Sequence, residues 1–131
     1  MRAGLTHAAL VGSGGFVGTL LRYALGGLVH RVLPMAAFPY GTLVVNLSGC
    51  LLIGVVAGLI DSRQVLTPEV RLFALIGVLG GFTTFSTFGY ETFAMLRDGE
   101  NLRAAANVGV QVGLGIALVW LGYALTTAGS T

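Results

Sequence analysis

The sequence predicts an all-α integral membrane protein of four transmembrane helices, the third broken near Gly80-Gly81. Three observations carry this reading. Of 131 residues, 55% are apolar and only 9% charged, with a mean hydropathy of +0.88. A soluble domain carries about 25% charge, so this chain cannot cover a water-facing surface. Four apolar segments reach the ~20 residues a helix needs to cross a ~30 Å hydrocarbon core. Glycine contributes 21 residues, more than twice the usual share of about 7%. Such spans suit close helix–helix packing and backbone that leaves the helix to line a cavity.

The first span runs from about Thr6 to Val29. The second runs from about Gly41 to Ile60, after the loop holding Pro34 and Pro39. The third runs from about Val70 to Leu96. It opens on Thr67-Pro68-Glu69, an N-cap followed by proline at the first helical position. The fourth runs from about Arg103 to Thr126, after the polar link Arg97-Asp98-Gly99-Glu100-Asn101. Nothing remains for a soluble domain, so residues 1–131 read as one four-helix membrane domain.

Several function classes fall away. The net charge of +2 is too small to argue for nucleic acid. The single Cys50 lies mid-span without metal-ligand spacing and reads as a small buried apolar residue. His7 and His30 flank opposite ends of the first span with no acidic or cysteine cluster nearby. No nucleophile–base pair or metal-ligand set emerges, so the chain does not read as an enzyme. No cleavable signal peptide stands out, because the first apolar run is long and lacks an Ala-x-Ala site before a soluble domain.

Four spans place both termini on one side, with Arg2, Arg63 and Arg71. The opposite side holds Arg31, Arg97 and Arg103. Three against three gives no preferred orientation under the positive-inside rule. The balance fits a dual-topology chain that inserts both ways and assembles as an antiparallel homodimer. It also fits a chain whose topology is set by something else. Glycines spaced four apart occur at Gly14/Gly18, Gly54/Gly58, Gly77/Gly81 and Gly109/Gly113. Together with polar groups inside the spans, they favour an oligomer.

The third span carries Gly80-Gly-Phe-Thr-Thr-Phe-Ser-Thr-Phe88 and then Glu91. Polar groups in hydrocarbon are expensive and face a bundle interior, a cavity or an ion path. A break at Gly80-Gly81 would free the carbonyls of Gly80 and Thr83 for a small hard cation. An unbroken helix with a packing notch is the alternative. Past the break, Phe82, Phe85 and Phe88 form one drifting helical stripe, with Thr84, Thr87 and Glu91 on a neighbouring one. An aromatic stripe alone is more often packing. Ring edges are positive, however, and with hydroxyl donors beside them they can replace part of an anion's water shell. Asn46, midway along Gly41-Thr-Leu-Val-Val-Asn-Leu-Ser-Gly49, is either an interhelical hydrogen-bonding residue or an anion donor. Glu91 is neutral, paired with Arg22, or beside a water-filled vestibule. Arg22 either snorkels to the interface or concentrates anions at a pore mouth.

At these residues the sequence resembles the Fluc (CrcB) family of fluoride channels. The resemblance covers nearly the whole chain. It rests on Gly-x-x-Leu-Arg-Tyr from Gly18 to Tyr23, Gly-Thr-Leu-x-Val-Asn from Gly41 to Asn46, and the run from Gly80 to Phe88. It implies a multi-pass protein of a prokaryotic cell membrane. It also implies an antiparallel homodimer in membrane lipid, with two fluoride pores and a central structural sodium ion (Na+). By position, Phe85, Phe88 and Asn46 match the family's pore residues. Ser86 and Thr87, with Thr84, match a polar track leading to Glu91, and Arg22 matches a vestibule arginine. Gly80 and Thr83 match the residues whose carbonyls hold the sodium. Where family members can carry Tyr and Ser on the pore side of the fourth span, this chain has Asn107 and Gln111. The rival within transport is a small dual-topology multidrug or cation transporter. Such proteins depend on a carboxylate deep in the first span, where this chain has Arg22 and no Asp or Glu.

Overall fold

The structure, a computed structural model, describes residues 1–129. Among them, four helical spans are long and apolar enough to cross a membrane: Arg2–Val32, Tyr40–Arg63, Pro68–Arg97 and Asn101–Thr127. We label Arg2–Val32 α1 and Tyr40–Arg63 α2. The third span is two helices, α3 (68–82) and α4 (Phe85–Arg97). The fourth span, Asn101–Thr127, is α5. No strand is present among the described residues.

Local chemistry sets the ends. α1 stops at Leu33, the residue before Pro34, where the α conformation is disfavoured. Its 31 residues give a rod of about 46 Å, which outruns the hydrocarbon core and is longer than hydropathy alone delimits. α2 ends on Gln64 in the left-handed conformation, φ 48°. α3 starts as its sequence predicts: Thr67 caps by accepting from the Val70 N–H at 3.4 Å, and Pro68 follows. Both α3 and α5 contain a locally widened π-helical stretch, at Leu72–Leu79 and Val110–Leu114.

Glycine notches decide which helices touch. α1 lies along α3, where a Cβ on Gly14 would sit 2.5 Å from Phe73 O and 2.9 Å from Gly77 Cα. α2 lies along α5, where a Cβ on Gly54 would run into the backbone carbonyl of Val119. Three of the four spaced glycine pairs are therefore consumed within the chain. Of the four pairs, only Gly109/Gly113 faces open space. Large apolar residues such as Phe16, Leu102, Ile116 and Trp120 point outward, as a lipid-facing surface requires.

The break in the third span lies two residues beyond the predicted glycines. Gly80 and Gly81 remain helical, and the extended residues are Thr83 (φ −87°, ψ 158°) and Thr84 (φ −147°, ψ 109°). Gly81 instead serves packing. A Cβ there would sit 2.6 Å from Gly15 O, so this glycine is a notch for α1. The shift also divides the aromatic stripe. Phe82 falls before the break and is 7% exposed, whereas Phe85 falls after it and is 82% exposed.

Gly54→Ala forces α2 from the α5 backbone and is expected to destabilise the protein by about 1–3 kcal/mol or more. Gly12→Ala has nothing within 4 Å to meet and serves as control. Thermal unfolding in detergent checks this: a lowered midpoint for Gly54→Ala only.

Candidate functional site

The break is held by one side chain. In a continuous helix the Thr84 N–H would bond to Gly80 O. Here it donates to Asn46 Oδ1 at 2.9 Å, and Asn46 Nδ2 donates back to Thr84 O at 3.2 Å. The carboxamide of α2 thus pairs with the backbone of Thr84 on both edges. Thr84 then caps α4: its hydroxyl accepts from the Thr87 N–H at 3.3 Å and donates to Thr87 Oγ1 at 2.9 Å. The Thr87 N–H would otherwise have taken Thr83 O. The carbonyls from Gly80 to Thr83 are therefore deprived of their helical donors, Gly80 O and Thr83 O among them.

A polar chain leads away from the break. Asn46 Nδ2 also donates to Gln111 Oε1 at 2.8 Å. Gln111 Nε2 donates to Asn107 Oδ1 at 3.1 Å, and Asn107 Nδ2 to Thr92 Oγ1 at 2.9 Å. The Thr92 hydroxyl ends the chain on Phe88 O at 2.8 Å. Because the first donor is a backbone N–H, the sense of every amide is determined: each side-chain oxygen faces the break and each nitrogen donates to the next group, with Asn46 Nδ2 also donating back to Thr84 O. Asn107 is fully buried, which makes its two partners obligatory. Both Asn46 hydrogens are in use.

Two cavities share Thr84 on their walls. The first, of about 360 Å³, is walled by Asn46, Gly80, Thr83, Phe85, Phe88 and Gln111 among others. The Phe85 and Phe88 rings are tilted at 51° with centroids 5.6 Å apart. The second cavity, of about 270 Å³, is walled by Arg22, His30, Thr42, Thr84, Thr87 and Glu91 among others. Thr42 donates to Glu91 Oε1 at 2.7 Å. Glu91 Oε2 and Arg22 Nε are buried without a partner among the described residues. Among those residues no ion pair joins Arg22 to Glu91; the ion pairs present are the exposed Arg97–Asp98 and Arg103–Glu100. A cavity of this size with a cation, an acceptor and hydroxyls on its wall is built for water or an ion.

The predicted site residues thus divide. Asn46, Thr84, Phe85, Phe88, Gly80 and Thr83 gather at the first cavity, and Arg22, Thr87 and Glu91 at the second, with Thr84 common to both. Ser86 stands exposed beside them on the first turn of α4. Thr42 and Thr92 escaped the sequence reading, and Asn107 and Gln111 were placed there only by resemblance. A signal existed: Thr42/Asn46 and Asn107/Gln111 are each four apart, one polar face per helix.

Comparison with known proteins identifies the family. The model of the family described as CrcB-like protein, Camphor Resistance (CrcB), matches residues 9–123. The chain is 46% identical over 113 residues to a protein named fluoride-specific ion channel FluC from Nitratidesulfovibrio vulgaris (strain DSM 19637 / Miyazaki F), covering 86% of this chain and 90% of that one. It is 42% identical over 125 residues to a protein of the same name from Rhizobium meliloti (strain 1021), covering 95% and 98%. A third of that name, from Nitrosococcus oceani, is 46% identical over 122 residues, covering 93% and 94%. With four helices able to span a bilayer and a match over most of its length, the chain is a multi-pass membrane protein and belongs to the CrcB family.

Proposed function

We propose that this protein is a fluoride-selective channel that lets fluoride leave a prokaryotic cell passively. One observation carries the reading. Thr84, at the break, lies on the wall both of a cavity of hydroxyls, an arginine and a carboxylate and of a cavity of amides and tilted phenyl rings. The relatives' shared name points to the ion.

Fluoride is small and strongly hydrated, so a path must offer dense donors. Arg22 raises the anion concentration at one mouth. The Thr87 hydroxyl accepts from Thr84, which leaves its own hydrogen for the ion. Ser86 adds a second hydroxyl, and the Phe85 and Phe88 ring edges carry positive character without a full charge. Glu91, bonded to Thr42, holds the polar wall of the second cavity. The rings make a constriction that excludes the larger chloride. In a cell negative inside, the potential drives an anion outward with about 2.3 kcal/mol per 100 mV.

The working unit we propose is a dual-topology antiparallel homodimer with two pores. The three-against-three arginine balance, the exposed Phe85 ring and the open Gly109/Gly113 face support it. A central sodium ion fits the same unit. The freed carbonyls of Gly80 and Thr83 are hard neutral donors, but two oxygens are fewer than the six or so that hard cations gather. A second copy would double them. The ion when bound would neutralise carbonyls that otherwise lie unsatisfied in hydrocarbon.

The deciding experiment is efflux from proteoliposomes read with fluoride and chloride electrodes. Rapid fluoride release without chloride release is expected; no fluoride release from well-folded protein would sink the reading. Asn46→Asp should cut flux by at least about tenfold. It turns two donated hydrogens into an acceptor facing Thr84 O and Gln111 Oε1, at about 1–3 kcal/mol each. Full flux through that variant would remove Asn46 from the path. Phe85→Ile should cut flux about tenfold with assembly intact, the worth of a lost ring-edge contact near 1.5 kcal/mol. Unchanged flux would return Phe85 to packing.

A further inference from the structure

Without an ion, neither Asn46 hydrogen is available to one: the carboxamide gives one to Thr84 O and the other to Gln111 Oε1. These two acceptors are not equivalent. Thr84 O is backbone, part of the two-edged pairing that secures the break. Gln111 is a side chain on the wall of the first cavity, which Phe85 and Phe88 also line, with open volume beside it. It also sits within the π-helical stretch Val110–Leu114, a widened turn of the kind that recurs at functional sites. Its other partner, Asn107, is also tied to Thr92 through Nδ2.

Resting on the channel reading above, we propose that Gln111 is a positioning residue that acts as a built-in competitor of the permeating ion. Its Oε1 holds the Asn46 hydrogen while the site is empty and gives it up when fluoride arrives. Fluoride takes the place of one neutral acceptor, so the Asn46 amide never lies unpartnered in a low-dielectric interior. The exchange also limits how tightly the ion is held, because every binding event must break the Gln111 bond.

A sign follows that distinguishes competition from scaffolding. Removing the competitor should tighten binding, whereas removing a mere support should weaken or abolish it. Gln111→Met keeps the length and loses both the acceptor for Asn46 and the Nε2 donor to Asn107. Its half-saturating fluoride concentration should fall about fivefold, the effect of one neutral hydrogen bond. Its maximal flux should fall as the ion leaves more slowly. An unchanged or raised half-saturation in Gln111→Met, with wild type conducting normally, would overturn the role of Gln111 and leave the channel intact. Absence of fluoride flux in wild type would overturn both. Should Gln111→Met fail to fold, wild-type protein labelled with ¹⁵N still decides the matter. Fluoride titration should move the Asn46 and Gln111 side-chain amide resonances together, and chloride should move neither. A stationary Gln111 resonance would refute the exchange.

Discussion

The paired amides of Asn46 and Thr84 are the constraint on which the site depends. A membrane helix cannot be interrupted cheaply, because each backbone group left unpaired in hydrocarbon costs several kcal/mol. Asn46 meets the N–H and the C=O of the same residue, and Thr84 meets the Thr87 N–H with its own hydroxyl. The interruption is therefore largely closed by neutral groups. What remains open on one side of the break are the carbonyls of the last turn before it, Gly80 and Thr83 among them. On the other are the first-turn N–H groups of α4 that no helix satisfies internally. The chemistry of the site is what those unpaired groups leave to be done.

Asn46 can reach the break only because α2 is held close. Gly49, on the same face of α2, faces Phe82 and Thr83; a Cβ there would sit 3.4 Å from Phe82 Cδ1 and would run into Thr83 Cγ2. At the far side, the Gly54 and Gly122 notches fasten α2 to α5, bringing Gln111 to the other edge of the carboxamide. Packing between small residues thus positions the polar chain, in a medium where hydrophobic burial drives little helix association.

The four spans were legible because hydropathy and length leave no alternative for so apolar a chain. The break was legible in kind and misplaced by two residues. Glycine marks both weak helix and close approach, and Gly81 is used for the second while hydroxyl-bearing Thr84 supplies the cap. That shift explains why Phe82 joined the wrong group: a stripe that starts after Gly81 does not survive an extended pair between Phe82 and Phe85. Asn46 was legible as a buried amide but not in its partners, which lie 38 and 65 residues away. Asn107 and Gln111 carried the same signal, two amides four apart in an apolar span. Only packing could join them to Asn46, and a single sequence contains no information on which faces meet.

The placement of charge follows from what a path must let go as well as admit. Arg22 and Glu91 both lie at the second cavity, and the polar chain from Asn46 to Thr92 is made of neutral dipoles. Two unit charges 4 Å apart attract by about 4 kcal/mol at an effective dielectric of 20. An arginine in place of Gln111 would therefore slow release of an anion by about a thousandfold. Neutral amides and hydroxyls avoid that trap, but leaving them unpaired in the empty state would cost stability. A directed chain in which each group already has a partner meets both demands: it is stable when empty, and it presents to an arriving ion only bonds weak enough to exchange.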